Sequence, residues 1–391
     1  MHKPTVGFVI GTRPEAIKVA PVVREMAADG RLHPVLISSG QHIEPVLQAL
    51  APFGLQPDLS LSLQRVTGSL AELSAQLIPS LDDAFEETRP DMVVVHGDTI
   101  TASVAALVAF WRRIPVVHLE AGLRTGDLAA PFPEEGNRLV IDHLAQLMLA
   151  PTPETAANLS REGIDPERVV ISGNTVVDAI QHVASLHLPY SDPRLAEIEA
   201  SERRIVLVTV HRRESWGKPI RDVLGAVRRL VEGHPDIQVV VPAHPNPAVR
   251  SEVEACLEGV ERTLVCDPLP YADLARLLAR ATLVLSDSGG IQEEAPSFGV
   301  PVLVLRDVTE RQEAIAAGCA YLVGTNPERI VRSAARLLSP EGAEDRRVRT
   351  NPFGDGRAAI RAVEAIAWQL GMGPRPEDFQ PMAAAGVLQT V

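Results

Sequence analysis

The chain has 391 residues, enough for two domains of roughly 150–200 residues that each bury a full core. Its 37 basic and 50 acidic residues give a formal charge of −13, which argues against non-specific binding to nucleic acid or to an anionic membrane. Three scattered cysteines (Cys256, Cys266, Cys319) form neither a disulfide framework nor a metal-ligand spacing, and no apolar run approaches the ~20 residues a bilayer span needs, so the expectation is a cytoplasmic protein.

In chain order, short β-branched runs alternate with longer amphipathic stretches. The run 5–10 leads into Gly11-Thr12-Arg13-Pro14, where proline suits a first helical position and Lys18 follows within the first turns; this reads as an anion cradle. HPVLISS (33–39) comes next. The run 92–95 ends in His96-Gly97-Asp98, and the run 115–119 ends in Glu120 with AGLRTGD behind it. After RVVISG (168–173), GNTVVDAI opens a helix and HLPYSDPRLAEIEASERR is polar and turn-rich, which puts a domain junction near 170–175. In the second half, the run 205–210 delivers His211-Arg212-Arg213-Glu214, the run 237–242 delivers His244, the run 282–286 delivers DSGGIQEEAPSFG, and PVLVLR (301–306) follows. Continuous apolar strands alternating with helices imply parallel sheets covered on both faces, an α/β class. The last twenty residues, 372–391, carry prolines and no periodicity and read as a loosely held tail.

Ligands of open parallel sheets bind outside the carboxyl ends of the strands, and the polar oddities of this chain collect there. Ser288-Gly289-Gly290 would turn backbone N–H groups outward at a helix start, as phosphate sites do, while Glu293 and Glu294 in the same helix read as caps. One carboxylate behind a strand is more often a cap than a catalyst, so the weight lies in the coincidence across strand ends. His96 and His118 read as structural. SDSGG (286–290) resembles the nucleophile stretch of trypsin-like proteases but follows an α/β strand. No H-E-x-x-H or paired cysteines suggest a metal, and Gly354-Asp355-Gly356 lacks the preceding strand of a nicotinamide fingerprint. Only Lys3, Lys18 and Lys218 among the 37 basic residues are lysines, so arginine by itself marks little.

GTRPEAIK (11–18), VHGDT (95–99), EAGLRTGD (120–127), PEEGNR (133–138), GNTVVDA (173–179), HRRES (211–215), AHPNP (243–247), DSGGIQEEAP (287–296) and NPFGDG (351–356) occur in that order. Together they resemble the non-hydrolysing UDP-N-acetylglucosamine 2-epimerases over residues of about 5 to 370. The resemblance implies two Rossmann-like domains of glycosyltransferase-B type, 1–172 and 173–355, with the active site in a nucleotide cleft between the halves and a helix at about 356–371 crossing back to the first domain. It also implies a homodimer and reversible epimerisation at C2 of UDP-N-acetylglucosamine, by elimination of UDP to a 2-acetamidoglucal and re-addition, with neither metal nor nicotinamide. Asp98, Glu120, Glu134 and His211 match the family's acid–base positions. Arg13, Lys18, His244 and Arg311 match its contacts to nucleotide and phosphates, the amides of Ser288, Gly289 and Gly290 its diphosphate cradle, and Glu294 its ribose acceptor; Glu293 remains a cap.

The sequence departs from the family at Gln41-His42-Ile43-Glu44-Pro45, where many members carry Gln-His-Arg-Glu-Met, at 64–70 (QRVTGSL), and at Gln312, where a proline is usual. The first two belong to a region that in the family holds a regulatory UDP-sugar, and Ile43 there implies weakened regulation. Three other readings are a hydrolysing relative that releases N-acetylmannosamine and UDP, a glycosyltransferase, and a non-catalytic sugar-nucleotide sensor.

Overall fold

The computed structural model describes residues 3–210, 216–342 and 351–381. It separates into two compact units, one of Met1–Ala179 with Gly354–Gln380 and one built from Ile180–Phe353. The first unit holds strands β1 (Thr5–Ile10), β2 (His33–Ser38), β3 (Leu59–Ser60), β4 (Met92–His96), β5 (Val116–Leu119), β6 (Leu147–Ala150) and β7 (Val169–Ile171). They form one parallel sheet in the order β3-β2-β1-β4-β5-β6-β7. The second unit holds β8 (Arg204–Thr209), β9 (Ile237–Pro242), β10 (Thr263–Cys266), β11 (Ala281–Ser286), β12 (Val302–Val304) and β13 (Ala320–Leu322), parallel in the order β10-β9-β8-β11-β12-β13. Each half is therefore doubly wound and Rossmann-like, and its strand order reverses once, between β1 and β4 and between β8 and β11.

Apolar spacing dictates how the helices cover these sheets. In helix Leu70–Thr88, Leu73, Leu77, Leu81 and Ala84 recur on one face and pack into the same core as Val93 and Val95 of β4. Ser69 starts that helix by accepting a hydrogen bond from the Glu72 amide (3.1 Å). Truncating one of these buried leucines, such as Leu77→Ala, costs about 2–5 kcal/mol. In the second unit Ile220, Val223, Val227, Leu230 and Val231 of helix Lys218–Gly233 pack into the core that holds Val239 and Val241 of β9.

The structure adds elements that the β-branched runs did not mark. β6 is Leu-Met-Leu-Ala, made of residues that favour helices, and becomes a strand because it lies between β5 and β7. Within the stretch read as turns, Pro193–Ala200 is a helix capped by Asp192, whose carboxylate accepts from the Arg194 amide (3.0 Å). The tail expectation is corrected for its first part. Phe379 is buried and its amide donates to the Ile171 carbonyl (2.7 Å), while Asp378 accepts from the Ile171 amide (2.8 Å) and Arg375 donates to the Val169 carbonyl (2.9 Å). One backbone bond and two side-chain bonds to the edge strand β7 hold this segment, and such contacts leave no periodicity in a sequence; residues 382–391 lie outside the described residues.

Helix Ala358–Gln369 lies in the first unit, packed on helix Arg13–Asp29. Among the described residues no helix is long and apolar enough to cross a membrane.

Candidate active site

At the end of β5 the backbone of Glu120 turns to φ 71°, in the left-handed region, after the amides of Glu120 and Ala121 both donate to the Leu149 carbonyl (3.1 and 3.2 Å). A non-glycine residue held there stores about 1–3 kcal/mol of strain, which the surroundings must impose. The Glu120 carboxylate meets the Lys18 ammonium from helix Arg13–Asp29 and accepts from Asn174 Nδ2 (3.3 Å), and its Oε2 lies 3.3 Å from His96 Nε2 at the end of β4. Lys18, expected on a phosphate, is thus the counter-charge of Glu120. His96, read as a structural histidine, is buried against the same carboxylate. Burial presses its imidazolium down to about 4, with Lys18 adding to that and Glu120 opposing it, so the ring is neutral near pH 7.

Asp98, two residues beyond β4, is gripped by Arg138, whose Nε and Nη2 both donate to Oδ2 (2.8 and 2.7 Å), while Asn137 donates to the Asp98 carbonyl (2.8 Å). Both partners come from helix Glu134–Leu144. Arg138 also pairs with Glu135 (2.8 Å), which accepts from the amides of Thr125 and Gly126 (3.0 and 2.9 Å) and so ties EAGLRTGD to PEEGNR. Glu134 opens the helix, half-buried, and its carboxylate makes no hydrogen bond or ion pair among the described residues. Below this rim His118 does prove structural: it bridges Asp142 (2.5 Å) and the Gly97 carbonyl (2.7 Å), and Asp142 also receives Arg124 (2.6 Å). Burial raises the Asp142 carboxyl, yet His118 and Arg124 outweigh it and the net direction is downward.

The turn after β1 differs from the anion cradle expected there. The amides of Gly11 and Thr12 (2.9 and 2.6 Å) and the Thr12 hydroxyl (2.8 Å) donate to Glu15 Oε2, and Thr99 Oγ1 donates to Glu15 Oε1 (2.6 Å). The protein's own carboxylate fills the cradle and links it to the turn behind Asp98, since Thr99 also caps helix Ile100–Trp111. Burial lifts the Glu15 carboxyl above its ordinary range against these four bonds. The T-x-x-E spacing of a capping box was the sequence signal for it. Arg13 stays exposed at the helix start, with no ion pair among the described residues.

In the second unit, Ser288, Gly289 and Gly290 follow β11. The Ser288 amide is taken by the Ser286 hydroxyl (3.0 Å), itself bonded to Thr209 of β8 (2.7 Å), so the cradle reduces to the first amides of helix Gly289–Glu294, the glycines. A side chain at Gly289 would come within 3.1 Å of the Arg311 guanidinium carbon, so that glycine admits Arg311 over the turn. Glu293, read as a cap, instead pairs with Arg311 Nε (2.9 Å). Gln292 accepts from Thr309 Oγ1 (2.7 Å), which accepts from the Arg311 amide (3.2 Å), and Asn351 Nδ2 donates to the Glu293 carbonyl (2.9 Å). Glu294 is buried at the end of that helix. His244 follows β9; its Nδ1 accepts from the Asn246 amide (3.0 Å), an assignment that leaves Nε2 as the donor, and its ring meets Trp216 edge-on at 5.6 Å. His211 lies outside the described residues.

The structure thus gathers Lys18, Asp98, Glu120 and Glu134 around the ends of β1, β4 and β5, and Gly289, Gly290, Glu294 and Arg311 around the end of β11. Glu15, Arg138 and Asn174, which the sequence reading did not single out, and His96, which it read as structural, surround the first set.

A sequence profile of the UDP-N-acetylglucosamine 2-epimerase family matches residues 24–367. The UDP-N-acetylglucosamine 2-epimerase of Yersinia pestis is 43% identical over 364 residues, covering 92% of this chain and 97% of its own. The crystal structure of UDP-GlcNAc 2-epimerase from Neisseria meningitidis bound to UDP-GlcNAc superposes with a TM-score of 0.82 at 38% identity, over 93% of this chain and 100% of that one. A glycotransferase of kitacinnamycin, 16% identical with a TM-score of 0.64 over 95% of this chain and 100% of its own, shares the fold alone, two Rossmann-like domains of glycosyltransferase-B type. The chain belongs to the UDP-N-acetylglucosamine 2-epimerase family.

Proposed function

We propose that this chain reversibly converts UDP-N-acetylglucosamine to UDP-N-acetylmannosamine. The observation that carries the reading is Glu120, a carboxylate held in strained backbone between Lys18 and His96, with Asp98 fixed by Arg138 beyond the neighbouring strand. The C2–H bond of the sugar has no adjacent carbonyl, so direct deprotonation would leave an unstabilised carbanion. Breaking the C1–O bond first, with its electron pair leaving on UDP, makes C2–H acidic. A base takes that proton, C1=C2 forms, and the reverse addition protonates C2 from the other face. Two faces need acid–base groups on both sides, and Asp98, Glu120, Glu134 and His211 supply them.

Arg13, Arg311, the His244 Nε2–H and the amides of Gly289 and Gly290 meet the departing diphosphate, while Glu294 accepts from the ribose hydroxyls. Fixed donors of this kind contribute about 2.7–4 kcal/mol each where the charge develops. Lys18 sets its positive charge against the Glu120 carboxylate. Elimination followed by addition leaves no net redox change, so the chemistry calls for no nicotinamide. We place the protein in the cytoplasm as a homodimer; the exposed Phe110 and Trp111, adjacent at the end of helix Ile100–Trp111, are apolar surface that a second subunit would cover. Incubation with UDP-N-acetylglucosamine alone, followed by NMR, tests the reading. It predicts UDP-N-acetylmannosamine at equilibrium with the starting material; free N-acetylmannosamine with UDP, or no conversion without a sugar acceptor, would overturn it.

A further inference from the structure

His96 is 3% exposed and its Nε2 is a buried polar atom with no hydrogen bond among the described residues, yet Glu120 Oε2 stands 3.3 Å away. An orphaned buried N–H costs about 1–3 kcal/mol, so its persistence needs a reason. The groups around it are Lys18 from helix Arg13–Asp29, Glu120 behind β5, Asp98 behind its own strand and His118 of β5, the last held by Asp142 and the Gly97 carbonyl. Of these, Glu120 offers the acceptor within hydrogen-bond reach, its Oε2 at 3.3 Å, while its Oε1 meets Lys18 and Asn174. We propose that His96 is a positioning residue for Glu120, a neutral imidazole whose Nε2–H closes onto the carboxylate as substrate binds and sets its proton affinity. Catalytic hydrogen bonds are commonly long or misaligned before substrate binds and tighten afterwards.

This role follows from the charge count around Glu120. Lys18 supplies the full positive charge. A second cation would hold the proton off too strongly for Glu120 to take one during turnover, whereas a neutral donor favours the carboxylate modestly and releases it again. Burial is what keeps His96 neutral, which explains a histidine in a site that offers it little water.

The inference rests on the proposed epimerisation, and its test separates the two. The first measurement is the pH profile of kcat in wild-type protein, His96→Met and His96→Gln, each checked for folding by circular dichroism. Loss of the donor in His96→Met should lower kcat about 10- to 100-fold with KM within a few-fold of wild type, and move the limb belonging to Glu120 up by about one pH unit. His96→Gln, which retains an N–H donor, should recover most of the rate with the limb near its wild-type position. Equal losses in both variants with an unmoved limb would overturn the inference, whereas wild-type protein that fails to epimerise would overturn the function instead. The second measurement needs no variant of His96 and no turnover: 15N NMR of the histidine ring should find the neutral Nε2–H tautomer at pH 7, with a resonance that shifts in Glu120→Gln. An Nδ1–H tautomer, or a resonance blind to Glu120→Gln, would contradict it.

Discussion

Three carboxylates with different surroundings define the first unit's site. Glu120 has a cation and a neutral ring beside it, Asp98 has a guanidinium, and Glu134 has no bonded partner among the described residues. In the proposed reaction, groups held so differently would divide acid and base work among themselves. Replacing each by its amide, as Asp98→Asn, Glu120→Gln and Glu134→Gln, should leave folding intact and remove about 3–5 kcal/mol of transition-state stabilisation, several orders of magnitude in kcat. Escape of the 2-acetamidoglucal, read by mass spectrometry, should accompany the loss. A variant with near-normal kcat would return that residue to a structural role. Asp98 and Glu120 stood out in the sequence by their places behind strands, and Glu134 only through the resemblance carried by PEEGNR. Their partners were not, because Lys18 and Glu120 are 102 residues apart and meet only once β1 and β5 share a sheet.

Two elements carry consequences of their own. Helix Ile43–Leu50 begins with Ile43 60% exposed, where an arginine is usual in the family. The cation of the 64–70 stretch, Arg65, is tied to the Gly68 carbonyl (2.6 Å), and the amides of Val66, Thr67 and Gly68 are gathered onto Glu72 (2.6, 2.9 and 2.9 Å). A diphosphate bound there would lack one charge-assisted contact worth about 1.5–3 kcal/mol. UDP-N-acetylmannosamine freed of its epimer should therefore react without a lag. A long lag abolished by a trace of UDP-N-acetylglucosamine would show the regulatory site intact.

The second element is helix Ala358–Gln369, whose first amides, at Ala358 and Ala359, donate to the Asp178 carboxylate (3.2 and 2.9 Å). Burial raises the Asp178 carboxyl to about 6, against the pull of those bonds. Because its folded value lies above its unfolded one, the native state binds the extra proton, so this group's contribution falls as pH rises from about 4 to 6, by up to about 3 kcal/mol. His96 works the other way, losing stability as pH falls from about 6.5 to 4. Asp178→Asn should flatten its own share, visible as a difference between the two proteins in urea midpoint against pH; parallel curves across pH 4–6 would refute it. The sequence marked Asp178 only as part of a motif, since the bond to Ala359 spans 181 residues.

On the scale of the whole molecule, two doubly wound halves repeat one arrangement: a strand-order reversal with polar residues at the strand ends beside it. That plan was legible because parallel strands read as continuous apolar runs. Short or unbranched strands such as β3 and β6 were not, because their neighbours rather than their residues make them strands. Glu15 shows where local reading misleads: a glycine turn that looks ready for phosphate is closed by the chain's own carboxylate. The central claim remains that C2 gives up its proton and regains one while the sugar nucleotide is re-formed. Incubating the protein with UDP-N-acetylglucosamine in D2O and reading C2 by NMR and mass spectrometry tests it most directly. The account predicts intact UDP-sugars of both configurations with one deuterium at C2. Epimers that keep the original C2 hydrogen, or deuterium found only in free sugar, would contradict it.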